Sequence, residues 1–370
     1  MFKRIYIHNF RCLENFDLPV SDLPSCLLIG KNGSGKSTVG FALEILQRIA
    51  RGTNRIRDLV KPGDLSRGRS DVPIRFEIEV VIARRTYNYI LAFELVAGFR
   101  ELRVAEECLS CDGIDIYSRQ QAHVFVAKSN SAVEARFLVD WHLVALPLIF
   151  EETANDPLRI FKNWLARMLI LAPLPSKITG DSEGDSLMPN REVTNFGEWF
   201  SGLLSHSPAA YARIDKFIKR VMDDFEDIKN PITGNESRSL TVQFQQGSAT
   251  LSSPFAAISD GEKCFFLCAL VLASNAAYGP LFCFWDEPDN YLSLPEVGHM
   301  VMELRRAFEN TGGQLIVTSH NPEAIRGFSD ENTLFLSRRN HLEPTQVRRM
   351  IDVEVNGDLV NALIRDDVEL

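Results

Sequence analysis

Apolar and polar residues alternate from the start of the chain, Phe2-Lys3-Arg4-Ile5-Tyr6, as they do along a half-buried strand. A second run, Cys26-Leu27-Leu28-Ile29, is apolar throughout and stops at Gly30, so two short strands joined through a Pro-containing connection are predicted here. The period then changes. Val39, Leu43, Leu46 and Ala50 recur at helical spacing, which predicts a helix over about 37–51 stopped by Gly52. Alternation returns over 74–81, 87–94 and 102–108, with turn residues between the runs. From about 135 to 230 the period is helical again, as in 159–171 and 211–225, with a polar linker at 179–190. Strand character resumes at 240–244, and the closing third alternates strands with helices, as a parallel sheet requires. The pattern as a whole implies an α/β fold with a helical insertion.

Composition narrows the class. A chain of 370 residues, 45% hydrophobic and 24% charged, suits an ordinary folded soluble protein of one large domain or two modest ones. The longest apolar runs, 143–150 and 265–273, fall short of the ~20 residues of a membrane-spanning helix, and the N-terminus lacks the apolar core of a signal peptide. A cytoplasmic protein without a membrane partner is expected, and seven scattered cysteines agree with that. Cys108 and Cys111 form a single CxxC. A zinc site would need two further ligands, whereas a β-hairpin turning at Asp112-Gly113 accounts for the pattern without one.

Net charge is −9, yet residues 51–85 carry nine Lys or Arg against five Asp or Glu, so this stretch is +4 and the rest of the chain −13. Such a patch could meet nucleic acid phosphates, a protein partner or only solvent.

The chemistry is concentrated in a few segments. Gly30-Lys31-Asn32-Gly33-Ser34-Gly35-Lys36-Ser37-Thr38 matches G-x-x-x-x-G-K-[ST] between a strand and a helix, the loop that cradles nucleotide phosphates in its backbone N–H groups. ATP and Mg²⁺ are the cofactors it implies: Lys36 reaching the β- and γ-phosphates, Ser37 offering its hydroxyl to the metal. Leu281-Phe282-Cys283-Phe284-Trp285-Asp286-Glu287 is an apolar strand that ends in two carboxylates, the expected place for a site. There Asp286 would bind Mg²⁺, directly or through water, and Glu287 would orient the attacking water. Ser259-Asp260-Gly261-Glu262-Lys263 is by itself a capping box before an apolar helix. A histidine after a strand, as in Leu315-Ile316-Val317-Thr318-Ser319-His320, is by itself more often structural than catalytic.

Their order gives these segments a second meaning. Lys263 lies 23 residues before Asp286, which resembles the signature of ABC-type ATPases, whose helix N-terminus caps the γ-phosphate held by a partner subunit. On that resemblance Ser259 and Gly261 join the nucleotide site in trans, Asp289-Asn290-Tyr291-Leu292 follows as the D-loop, and His320 is the switch histidine that senses the γ-phosphate. The opening Asn9-Phe10-Arg11 is similar to the start of the SMC, RecF and OLD-type ATPases, in which the arginine lies near the phosphates. Ser-Asp-Gly-Glu-Lys, Asp-Glu-Pro-Asp-Asn and Ser-His-Asn-Pro look most like compact OLD-like ATPases of retron- and Septu-type antiphage systems. The fold implied is a P-loop NTPase, an ABC-type head with a mixed sheet and an inserted helical lobe, divided 1–134, 135–235 and 236–370.

The departures matter too. Only 29 residues follow His341, too few for the TOPRIM nuclease of OLD proteins, and no heptad run suggests an SMC coiled coil. No glutamine lies between Gln47 and Gln120, so the Q-loop of ABC ATPases is unassigned. The expectation is an ATPase that works as a head-to-head homodimer and regulates a separate effector, a nuclease or toxin. The alternative is a RecF-like clamp that binds DNA directly.

Overall fold

The computed structural model describes residues 1–127, 135–151, 153–233 and 237–353. Borders expected at 134 and 235–236 fall outside them, as do residues 354–370. The chain opens with β1 (Phe2–His8), β2 (Phe16–Pro19) and β3 (Ser25–Ile29), then α1 (Lys36–Ala50). A run of strands follows: β4 (Ile74–Ile82), β5 (Arg85–Glu94), β6 (Arg103–Cys111), β7 (Ile114–Gln120), β8 (His123–Val126) and β9 (Ala135–Leu138). Next come α2 (Pro157–Ala166), β10 (Leu169–Leu171), β11 (Asp181–Ser182), α3 (Phe196–His206), α4 (Ala210–Val221) and β12 (Phe225–Lys229). The last third holds β13 (Arg238–Ser239), β14 (Thr241–Gln246), β15 (Ala249–Pro254), α5 (Asp260–Tyr278), β16 (Phe282–Asp286), α6 (Leu294–Thr311), β17 (Gln314–Thr318), α7 (Pro322–Arg326), β18 (Thr333–Ser337) and β19 (Gln346–Arg349).

Among the described residues, two large sheets organise these elements. One is antiparallel, in the order β2-β1-β4-β5-β6-β7-β8-β9, and one is mixed, in the order β10-β16-β17-β3-β18-β19. The first five strands of the mixed sheet are parallel and β19 is antiparallel. Residues of its strands alternate between two apolar clusters. Cys26, Leu28, Phe282, Phe284 and Ile316 join one with α1 and the antiparallel sheet; Leu27, Ile29, Cys283, Trp285, Leu315 and Val317 join the other with α5 and α6. Burial on both faces is why these strands read as unbroken apolar runs. Gln314 ties the two sheets together: its amide accepts from the Phe2 N–H and donates to the carbonyls of Phe2, Val20 and Leu23.

Several elements differ from the sequence expectation. The helical run over 159–171 is two elements, because α2 ends at Ala166 and Leu169–Leu171 is a core strand buried on both sides. Three apolar residues fit either period, so only their pairing with β16 decides. Phe225 likewise belongs to β12 rather than to α4. The stretch expected as a helical insertion thus supplies α2, α3 and α4 but also β9 to β12. The Asp112-Gly113 turn has φ of 52° and 79°, as a two-residue hairpin requires. No helix among the described residues is long and apolar enough to cross a membrane.

Candidate functional site

The parallel strands β3, β17 and β16 lie side by side, so the segments leaving their C-terminal ends meet on one edge of the sheet. At β3 the exit is the glycine loop. Gly30 has φ of 147°, and a Cβ there would sit 2.0 Å from the Leu336 carbonyl oxygen, so only glycine fits. Gly35, φ 100°, is the N-cap of α1, which has neither a side-chain cap nor an acidic residue in its first turn. The free N–H groups and positive dipole end of α1 are therefore available to an anion. Asn32 and Gly33 are exposed at the crown of the loop, Ser34, Gly35 and Lys36 are buried, and Ser37 and Thr38 are half-buried. The Ser34 hydroxyl is buried without a hydrogen-bond partner. Lys36 Nζ donates to the carbonyls of Gly30 at 2.7 Å and Lys31 at 3.3 Å. Burial pulls its pKa down, and Glu287 and Asp286 oppose that pull.

At β16 the exit is Asp286-Glu287. Asp286 Oδ1 accepts from the Thr318 hydroxyl at 2.7 Å, and its Oδ2 lies 3.3 Å from Arg191 Nη2. Glu287 has φ of 49°, an uncommon backbone for a non-glycine residue, held by N–H bonds to the Thr318 carbonyl and hydroxyl. Its side chain accepts from Asn290 Nδ2 at 2.8 Å. At β17 the exit carries His320, whose Nε2 lies 3.6 Å from Glu287 Oε1. Burial lowers the His320 pKa and nearby Lys36 lowers it further, while the two carboxylates act the other way. Lys36, Asp286, Glu287 and His320 thus share one electrostatic environment.

The expected signature segment meets this edge through the residues that follow Glu287. Ser259 caps α5 by accepting from the Glu262 N–H at 3.2 Å, and Glu262 returns the bond at 2.7 Å. Gly261 packs against the D-loop, where a Cβ would come within 2.9 Å of the Tyr291 carbonyl oxygen. Among the described residues no hydrogen bond joins 258–263 to the loop at 30–38. Asp289, also in the D-loop, is buried and accepts from Ser319 Oγ at 2.8 Å, next to His320.

Arg11 lies beside α1, its guanidinium 4.2 Å from the Phe41 ring centre and its Nε 2.9 Å from Asp64. Its Nε is held by Asp64, and its two Nη groups make no hydrogen bond among the described residues. Gln47, buried on α1, donates to the Met168 carbonyl and tethers the helix to β10; eleven residues of helix from Lys36 place it ~16 Å away. Sequence reasoning missed Thr318, whose hydroxyl holds the Asp286 carboxylate and the Glu287 N–H, and Arg191, which lies just past the polar linker. The threonine stood in a quoted motif, but only strand pairing reveals its partners.

These residues suit a nucleotide with its metal. Among the described residues no cluster of three or more His, Cys, Asp or Glu could hold a metal by itself. Ser37 and Asp286 are the residues that would hold a cation accompanying the nucleotide. When bound, Mg²⁺ would supply charge neutralisation at the phosphates.

The fold and the glycine loop define a P-loop protein with the architecture of ABC- and SMC-type heads. More particularly, residues 26–326 match the family described as "AAA domain, putative AbiEii toxin, Type IV TA system", and the chain belongs to that family. Among solved structures it is similar to the SmcHead bound to the C-winged helix domain of ScpA, with TM-score 0.53, 14% identity, and coverage of 94% of this chain and 97% of that one. It is also similar to an Smc head domain with an extended coiled coil bound to the C-terminal domain of ScpA, derived from Pyrococcus furiosus, with TM-score 0.50, 14% identity, and 95% and 97% coverage. At that identity the likeness shows the fold. In sequence, 46 residues are 44% identical to the OLD nuclease of Thermus scotoductus, which is 12% of this chain and 8% of that protein.

Proposed function

We propose that the chain binds and hydrolyses ATP as a head-to-head homodimer, and that this dimer regulates a separate effector, a nuclease or toxin, in antiphage defence in the cytoplasm. The observation that supports the dimer is that, among the described residues, no hydrogen bond joins the capped α5 N-terminus at Ser259 and Gly261 to the phosphate loop of the same chain. By its resemblance to the ABC signature, a second copy would bring that helix end, whose first turn carries Asp260 and Glu262, to the γ-phosphate. In this reading Lys36 and the loop N–H groups hold the phosphates, Asn32 to Thr38 line them, and Ser37 and Asp286 orient the metal. Glu287 accepts a proton from the attacking water, and His320 donates to the γ-phosphate. Membership of a family described by a toxin, and the local likeness to an OLD nuclease, support the effector setting. All seven cysteines are free, as suits a reducing compartment.

The test is the mass of the Glu287→Gln variant by light scattering, with and without Mg-ATP. The proposal expects a monomer without nucleotide and a dimer with it, and turnover slowed by about 10² or more, at least ~2.7 kcal/mol of barrier. A monomer that binds Mg-ATP but never associates overturns the dimer.

One observation favours a second reading, a clamp that binds DNA directly. Arg55, Arg57, Lys61 and Arg100 line a cavity of about 380 Å³ together with Glu101 and Asp140, and the three arginines have no ion pair among the described residues. DNA binding in about 0.15 M salt that falls steeply with added salt would favour this reading over the first.

A further inference from the structure

Arg191 comes from the linker before α3, far in sequence from every motif, yet it reaches the centre of the site. The segment that carries it runs beside the exit of β10, where its own carbonyl accepts from the Ala172 N–H at 2.8 Å and the Glu192 carbonyl from the Leu174 N–H at 3.1 Å. From there the guanidinium lies 4.1 Å from the ring centre of Phe41, 3.8 Å from a Glu44 carboxylate oxygen and 3.3 Å from Asp286 Oδ2. Its side chain is 17% exposed and that of Asp286 9%, so little water screens the pair.

The geometry sets up a competition. Asp286 has two oxygens, one bonded to Thr318 and the other to Arg191. The protein residues that suit the metal are Ser37 and Asp286, and Ser37, Phe41 and Glu44 follow at i, i+4 and i+7 on one face of α1. Arg191 therefore lies along the same helix face as the serine and beside the same aspartate. A cation at Asp286 would meet a fixed positive charge a few ångströms away. Glu44 offers the guanidinium a second carboxylate while it keeps its stacking on Phe41.

We propose that Arg191 is the resident counter-ion of Asp286, that it competes with Mg²⁺ for this carboxylate, and that on loading it transfers to Glu44. Its movement carries the site's state into residues 172–192. Arg191 is in this role a positioning residue, and the proposal rests on the reading of the site as one for Mg-ATP.

The experiment measures binding of a fluorescent ATP analogue at fixed concentration while Mg²⁺ is varied. Arg191→Gln is expected to lower the Mg²⁺ concentration for half-maximal binding by about tenfold, because a like charge has left the ligand. Arg191→Lys should fall between that variant and the native chain. Glu44→Gln removes the second resting place and should raise the midpoint, an opposite shift that loss of folding cannot mimic. Midpoints that stay together in Arg191→Gln and Glu44→Gln, in chains that bind Mg-ATP, overturn the proposal. A native chain that binds no analogue at any Mg²⁺ concentration overturns instead the reading of the site on which it rests.

Discussion

The Thr318 hydroxyl lies 2.7 Å from the Asp286 carboxylate, and the same oxygen accepts from the Glu287 N–H at 3.0 Å. One fully buried side chain at the end of β17 thus fixes both acids at the end of β16. Thr318→Val, which keeps the shape and removes the hydroxyl, is expected to cost about 1–3 kcal/mol of stability. Turnover should fall more than ATP affinity, since the phosphate loop is untouched. Denaturant unfolding and steady-state hydrolysis measure the two effects; a variant with native stability and turnover would remove Thr318 from the site.

Lys36→Ala takes away the cation whose Nζ now bridges the carbonyls of Gly30 and Lys31. ATP binding, followed by equilibrium dialysis, is expected to be lost with the fold intact by circular dichroism. Native affinity in this variant would count against the phosphate loop.

The His320 pKa is held below its usual 6.5, chiefly by burial and then by Lys36. The ring is therefore neutral at pH 7 and protonates later than an unfolded histidine as pH falls. The unfolded chain binds the proton more readily in the window just below 6.5, so stability present above that value is lost as pH drops through the folded pKa. An NMR titration of the His320 ring should give a midpoint under 6.5, and Lys36→Met should move it upward. A midpoint at or above 6.5 contradicts this.

A stability prediction lies outside the site. Glu107, fully buried, accepts from the hydroxyls of Tyr89 and Tyr117 and from the N–H groups of Ala145 and Leu146, with Arg119 at 3.7 Å. Glu107→Ala leaves the two N–H groups without this acceptor and Arg119 without its buried counter-charge, and is expected to cost about 3–5 kcal/mol. Calorimetry should show the drop, and ATP affinity measured well below the transition should stay native.

What could be read in the sequence follows from what is local. The phosphate loop is nine consecutive residues whose backbone geometry depends on their own glycines, and 282–286 is legible because burial on both faces leaves no polar residue before the acids. Leu169–Leu171 was hidden because three apolar residues carry no period. Arg191 was hidden for a different reason: nothing near it in sequence shows that Asp286, Glu44 and Phe41 converge on it. Arg11 was visible through its motif, but its partner Asp64 was not, and that partner decides where the guanidinium rests.

Strand order also bears on how the chain is made. Among the described residues β3 lies between β17 and β18 in the mixed sheet, and its pairing joins Ser25 to Leu315. At roughly 5–20 residues per second, a ribosome needs about 15–60 s to reach β17 after β3 emerges. During that interval a strand that is apolar after Ser25 lacks both edges it will pair with, so the nascent chain is expected to depend on chaperones until β17 and β18 are synthesised.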